Sequence, residues 1–429
     1  MKKKVTLVAP VYTASGYGAH GRDIAWALIA LQDKYDLKIV STAWGNTPTN
    51  ALDKNNENDL EIIKRVVPKT DANDDIFIQL TIPNEFVRCG KYNIGFTAGI
   101  ETDMCAPKWI EGCNNMDMLL TTSKHSLDVI NDSVFDKVNK NTNQLEGTLK
   151  LRDGLRKEIL FEGVDTTLYT NKMDPDENMR ILEHVKEDFC YLFVGHWLQG
   201  SFGNDRKNVG AMIKVFFDTF KRMPADSRPA LILKTSGGKY SVGDLSEIQS
   251  KIRSILDGEE GPNIYILHGD LSDGEMNNLY NDPKVKAMIS FTKGEGYGRP
   301  LAEFSVTGKP IIASNWSGQL DFLHPKYSSL LPGRLEQIDR SVLNDWFIQD
   351  AKWFTVDYMY SAGVIADVFT RYKKHKENAE KQRVHTLTHF SFEKMVDKLE
   401  QILDSIEIDQ SSNQPKLNTL KLPKLKLVE

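Results

Sequence analysis

Residues 293–303 read Lys293-Gly294-Glu295-Gly296-Tyr297-Gly298-Arg299-Pro300-Leu301-Ala302-Glu303, and Gly308-Lys309-Pro310 and the apolar run Ile311-Ile312-Ala313-Ser314 follow. A strand closing at Phe291 runs into three glycines, which allow a tight turn, and then into a helix whose first residue is Pro300, where the missing N–H has no partner in any case. Such a loop presents free amides at a helix N-terminus, a geometry that binds phosphate. A carboxylate at Glu303, in the first turn, can accept two hydrogen bonds from neighbouring hydroxyls such as those of a ribose, and Glu295 can do the same for a hexose. Each feature also has a plainer reading, because a first-turn glutamate steadies the helix dipole and glycines are ordinary turn residues. Taken as one spaced set, they point to a loop that holds a phosphate and a sugar.

Outward from this loop, short apolar runs alternate with helical stretches, the pattern of parallel sheets covered by helices. A chain of 429 residues is too long for one core of ordinary size, so two domains of about 200 residues with a cleft between them are expected. In the first, strands are expected at Val5 to Ala9, Leu37 to Thr42, Ile76 to Leu80, Tyr92 to Thr97 and Met118 to Thr122. The clearest helix runs from about Gly21 to Leu31, with Ile24, Leu28 and Leu31 on one face. Within residues 145–161, Arg152-Asp153-Gly154 separates two short runs and predicts an inserted β-hairpin. The first domain then spans residues 1–172, and the polar stretch Thr170 to Asn178 with Pro175 reads as a linker. A second series spans 179–375, with strands at Cys190 to Val194, Ala230 to Lys234, Ile264 to Leu267, Ala287 to Phe291 and Ile311 to Ala313. Residues 345–405 are helical in pattern. Within 376–408 the last helix carries Met395, Leu399, Ile402 and Leu403 and is expected to cross back to the first domain. The tail, 410–429, with Lys416, Lys421, Lys424 and Lys426, reads as a flexible end or a short docking segment.

Composition narrows the partners. A net charge of -5 gives no global attraction to nucleic acid or anionic lipid. Four scattered cysteines, Cys89, Cys105, Cys113 and Cys190, suggest neither a zinc site nor a disulfide framework and fit reduced thiols of a cytoplasmic protein. The apolar run after Lys2-Lys3-Lys4 is too short for a secretory signal, and no stretch approaches the ~18 apolar residues of a membrane span.

A second glycine motif, Gly16-Tyr17-Gly18-Ala19-His20-Gly21, is a literal G-x-G-x-x-G between the first strand and helix. The acidic residue that dinucleotide binding requires is missing, since the second strand closes with Ser41-Thr42-Ala43, and the loop from Pro10 to Ser15 is long for that purpose. NAD binding is therefore not read here; the plain alternative is a strand-to-helix turn.

The sequence resembles the retaining glycosyltransferases of the GT-B fold, in the large family 4-like group marked by two glutamates eight positions apart, matched by Glu295 and Glu303. Gly163-Val164-Asp165, Ser123-Lys124-His125, Phe193-Val194-Gly195 and Lys207-Asn208-Val209 fit further family positions, and the Asn- and Lys-rich composition and the inserted segment resemble bacterial or bacteriophage members. The resemblance implies two Rossmann-like domains facing across a cleft. It implies that Glu303 holds the donor ribose, that Glu295 with Gly296, Tyr297 and Gly298 holds the transferred sugar and phosphate, and that Lys207 neutralises the diphosphate. It brings the amides of Gly16, Tyr17 and Gly18 near the leaving phosphate or acceptor. The chain departs from the pattern at His196, where an arginine is usual, and Arg206 or Arg299 is expected to supply that charge. The usual first-domain histidine is also absent; Glu101, followed by Pro107-Lys108-Trp109, is the candidate to orient a sugar. The donor implied is a UDP- or GDP-linked sugar acting as substrate, with retention of configuration and with neither a cofactor nor a metal. The acceptor, whether glycan, lipid-linked sugar, protein or modified DNA base, is open, DNA being disfavoured by charge. The other readings are a phosphorylase-like enzyme, disfavoured because no pyridoxal lysine is recognisable, and a nucleotide-sugar or glycan-binding module without turnover.

Overall fold

The computed structural model describes residues 2–139, 142, 144–174, 181–238 and 241–408. The expected lysine-bearing tail from Gln410 and the linker residues Pro175 to Asn178 lie outside the described residues.

The first lobe runs β1 (Lys3–Ala9), α1 (Gly16–Ala30), β2 (Tyr35–Ser41), α2 (Glu57–Ile63), β3 (Ile76–Leu80), β4 (Tyr92–Thr97), α3 (Pro107–Asn114), β5 (Met118–Thr121), α4 (Lys124–Asp132), β6 (Phe135–Val138), β7 (Leu145–Leu149) and β8 (Arg156–Ile159). Six strands form one parallel sheet in the order β2-β1-β3-β4-β5-β8. Every residue of β3 and β5 is buried, as strands covered by helices on both faces must be.

The second lobe continues with β9 (Cys190–Val194), α5 (Val209–Phe220), β10 (Ala230–Lys234), α6 (Val242–Leu256), β11 (Ile264–Leu267), α7 (Asp273–Asn281), β12 (Val285–Ser290), α8 (Arg299–Ser305), β13 (Ile311–Ser314), β14 (Ser329–Leu331), β15 (Gly333–Gln337), β16 (Lys352–Val356), α9 (Tyr358–Thr370), α10 (Tyr372–His389) and α11 (Phe392–Asp404). Its sheet is also six-stranded and parallel, ordered β11-β10-β9-β12-β13-β14. α11 packs on α1, burying Met395, Leu399, Ile402 and Leu403, and Lys34 pairs with both Glu400 and Asp404 at its end. Gly163 is required where the chain leaves the first lobe, because a Cβ there would lie 2.7 Å from the Phe392 Cα and from the Ser391 carbonyl. One apolar cluster runs without a break from Ile24 and Phe96 to Tyr297, Leu301 and Phe322, so the lobes share a core at this junction.

Three expectations are corrected. Residues 145–161 do not pair with each other: β7 pairs antiparallel with β6, and β8 joins the main sheet beside β5. Leu155, Leu160 and Phe161 flank β8 and are buried, whereas Leu145 on β7 is exposed, so burial draws the second run into the sheet. Gly154, at φ 77°, still makes the turn, but it redirects the chain between two sheets. α1 begins at Gly16, since the Ser15 hydroxyl caps the Gly18 amide. The stretch 345–405 is not all helix: the β-favouring Lys-Trp-Phe-Thr-Val of β16 pairs antiparallel with β15.

The four cysteines are free thiols; burial pushes Cys105 up to about 11 and Cys190 up to about 12. Among the described residues no helix is long and apolar enough to cross a membrane.

Candidate functional site

The glycine loop between β12 and α8 is seated on the first lobe. Gly298, at φ 100°, is the N-cap of α8, which places Arg299 first and Pro300 second in the helix. Glu303 therefore lies beyond the first turn, a correction to its expected place. Gly296 offers its carbonyl to the Ser123 hydroxyl at 2.6 Å, and Ser123 in turn caps α4 by accepting from the Ser126 amide. A Cβ at Gly294 would lie 2.0 Å from the Glu101 carbonyl, and one at Gly296 would lie 2.2 Å from that of Ala98. These two glycines serve lobe-to-lobe contact. His125, next along α4, meets Trp316 of the second lobe edge-on at 5.0 Å between ring centres.

Beside this contact stands a cluster of four charges. The loop after β9 runs to Asn208, the N-cap of α5, and within it the Asp205 carboxylate accepts from the Val209 amide at the helix start. The Lys293 amide donates to the Arg206 carbonyl at 2.9 Å, tying that loop to the glycine loop. Arg206 then reaches Glu101 of the first lobe at 2.7 Å and Glu295 at 3.6 Å, and Lys207 pairs with the other oxygen of Glu295. Burial raises the Glu295 carboxyl, but Lys207 and Arg206 outweigh it and hold the group below its ordinary value. Burial lowers the Lys207 ammonium against the pull of Glu295. A cavity of about 320 Å³ opens here, lined by Leu198, Gln199, Arg206, Gly237, Phe347 and Trp353.

A second cluster gathers on Arg299. Its guanidinium pairs with Asp23 of α1, lies 3.6 Å from Glu162 and donates to Glu303 at 2.9 Å. Glu303 also accepts from the Tyr280 hydroxyl at 3.1 Å. One cation thus serves three carboxylates. Burial pushes both Glu162 and Glu303 up to about 7, with Arg299 opposing, and raises Asp23 as well. A cavity of about 740 Å³ lies alongside, bordered by Asp23, Trp26, Tyr169, Asp273 and Arg299.

Of the sequence-derived candidates, Glu101, Arg206, Lys207 and Glu295 come together. Arg299 and Glu303 belong to the other cluster, engaged with each other. His196 is exposed and bonds Ser236 at 2.9 Å; partial desolvation, then Lys207 and Arg206, lower its imidazole from the ordinary histidine value. Tyr297 is buried in the lobe junction against Phe322, and its hydroxyl has no partner among the described residues. In the first glycine motif, Gly16 is exposed, while Gly18 serves packing, since a Cβ there would lie 2.1 Å from the Thr13 carbonyl. Tyr17 reaches across to β4, its hydroxyl 3.0 Å from the Thr97 hydroxyl and accepting from the Ala98 amide. Sequence reasoning missed Asp23 and Glu162. Glu162 stands directly before Gly163-Val164-Asp165, but an isolated acid carries no signal of a partner far along the chain.

No family model matches the sequence, and no curated protein matches it. Solved structures do share its fold. Sucrose-phosphate synthase from Thermosynechococcus elongatus superposes with a TM-score of 0.59 at 11% identity, covering 94% of this chain and 98% of that one. A glycosyltransferase from Rickettsia africae gives 0.60 at 12%, covering 94% and 97%. Anabaena HepE in complex with UDP and glucose gives 0.59 at 12%, covering 94% and 100%. The two facing parallel-sheet domains are the GT-B fold.

Proposed function

We propose that this protein transfers a sugar from a nucleoside-diphosphate sugar to an acceptor, with retention at the anomeric carbon. The observation that carries this reading is the placement of Arg206 and Lys207 at the lobe junction, held by Glu295 and Glu101, with Arg206 lining a cavity. A diphosphate entering there meets two cations already oriented by carboxylates, and oriented charge in a poorly solvated site stabilises a developing negative charge. Glu295 then exchanges part of its cation contact for sugar hydroxyls, and Glu303 exchanges its Arg299 contact for the ribose. The bond from the anomeric carbon to the diphosphate oxygen breaks, with its electron pair leaving on that oxygen. The acceptor oxygen bonds to the carbon from the same face, and its proton passes to the departing phosphate. Arg206 and Lys207 supply the charge stabilisation in this scheme, so a chelator is expected to leave the rate unchanged. The shared fold with HepE, whose structure holds UDP and glucose, supports a UDP-linked donor.

Incubation with radiolabelled UDP- and GDP-sugars tests this. Release of free sugar from one donor, slow without an acceptor, is expected. Binding of a nucleotide sugar with no turnover under any acceptor would favour the binding-module reading. Failure to bind any nucleoside diphosphate would overturn the assignment.

A further inference from the structure

We propose that Trp44 and Tyr17 form a stacking platform for the acceptor and that the acceptor is a neutral carbohydrate; this rests on the glycosyl-transfer reading above. The two rings stack at 4.0 Å between centres and 21° between planes. Tyr17 lies at the start of α1 and Trp44 in the loop after β2, so both stand at the C-terminal edge of the parallel first sheet, where β4 also ends. That edge faces the glycine loop: Tyr17 bonds to the Ala98 amide, and the Ala98 carbonyl lies against Gly296, next to Glu295.

The platform is built rather than incidental. The Tyr17 hydroxyl is held at both Thr97 and Ala98, which fixes its ring. The Trp44 loop is fastened to the loop after β1 by hydrogen bonds from Ala14 to the Pro48 carbonyl and from Ala51 to that of Tyr12. Thr47 closes the turn with its amide and hydroxyl both on the Trp44 carbonyl. Tyr17 covers one face of the indole, yet Trp44 remains partly exposed, with Thr42, Ala43, Gly45 and Asn46 exposed around it. A Cβ at Gly16 would meet nothing within 4 Å, so there is room beside the stack.

The chemistry of these surroundings selects the ligand. The C–H bonds on a sugar face carry partial positive charge and suit the electron-rich face of an aromatic ring. The hydroxyl rim needs neutral donors and acceptors, which Thr42, Asn46 and Asn50 provide. A nucleic-acid base would also stack on such a ring, but its phosphates require Lys or Arg nearby. The segments from Pro10 to Gly21 and from Ser41 to Leu52 contain no Lys, Arg, Asp or Glu, and the adjoining Arg22 spends its guanidinium on the Val11 and Thr13 carbonyls. A neutral glycan fits both the rings and the absence of charge in the loops that carry them.

The test compares wild type, Trp44→Ala and Trp44→Phe by saturation-transfer NMR with maltotriose, cellotriose, mannotriose and a short duplex DNA, with UDP titrated separately into each protein. The expected result is binding of at least one trisaccharide, weakened about tenfold or more by Trp44→Ala and largely kept by Trp44→Phe. UDP should bind all three proteins alike, which also shows that the variants are folded. Trisaccharide binding that Trp44→Ala leaves intact overturns the platform, as does normal UDP binding with no trisaccharide bound. Duplex DNA binding that depends on Trp44 overturns it in favour of a nucleic-acid acceptor. Trisaccharide binding lost in Trp44→Ala, in a protein that never binds UDP, upholds the platform and removes the donor reading alone.

Discussion

Arg299 of the second lobe pairs with Asp23 of the first, a contact between residues 276 positions apart that joins the two halves at the start of α8. The same guanidinium holds Glu303 and faces Glu162. Arg299 is therefore a cross-lobe tie, engaged by carboxylates of both lobes.

Removing Arg299 leaves three carboxyl groups without their cation. Arg299→Ala is expected to cost about 3 kcal/mol, the scale for breaking one side of a buried pair. Urea unfolding measures it, and a double-mutant cycle with Asp23→Asn assigns the share owed to the tie. Additive losses would show that the two residues do not act together.

Stability should also fall with rising pH through this cluster. Glu162 and Glu303 are pushed up to about 7, first by burial, above the ordinary glutamate range. The folded state thus binds these protons more tightly than the unfolded chain. Their contribution is full below the ordinary glutamate pKa, declines as pH rises, and is gone once pH passes about 7. Glu162→Gln, which cannot titrate, should flatten the stability profile between about pH 5 and pH 8. A slope equal to that of wild type would remove Glu162 from this role.

Lys207 and Glu303 should separate chemistry from affinity. Lys207→Ala is expected to lower turnover about 10²- to 10³-fold, the scale for losing one preorganised charge-stabilising group. Glu303→Ala should instead weaken UDP binding by about 1 to 3 kcal/mol, the scale of a hydrogen bond to a charged group. Calorimetry with UDP and initial rates with the accepted donor distinguish the two. Unchanged UDP affinity in Glu303→Ala would take Glu303 out of the nucleotide site.

Close lobe packing makes the glycine loop intolerant of a single methyl group. Gly296→Ala places a Cβ 2.2 Å from the Ala98 carbonyl, so either the loop or the first lobe must move. A loss of about 1 to 3 kcal/mol and a wider lobe separation by small-angle scattering are expected. Gly16→Ala, where a Cβ meets nothing within 4 Å, should leave stability within about 0.5 kcal/mol of wild type.

Much of this was legible in the residues alone. Runs such as Ile76 to Leu80 and Met118 to Thr121 are mostly apolar and buried at every residue, and such runs alternating with helical periodicity specify parallel sheets covered on both faces. The turn at the glycine loop was legible because turn chemistry is local, although α8 starts one residue earlier than read, at Arg299. The hairpin expected in residues 145–161 was misread because Asp-Gly marks a turn without saying which strands it separates; the burial of Leu160 and Phe161 decided that. Helical spacing likewise hid β16, whose pairing with β15 is a contact along another strand.

The order of local elements and the kinds of side chain at the loop thus follow from neighbouring residues. Which carboxylate faces which cation does not. Glu295 and Glu303 sit on one short segment, yet the first is held by Lys207 and Arg206 while the second is held by Arg299 and Tyr280. That division, like the stacking of Trp44 on Tyr17, arises when the lobes and their loops pack, because ion pairs and ring contacts act over a few ångströms in space whatever the distance along the chain.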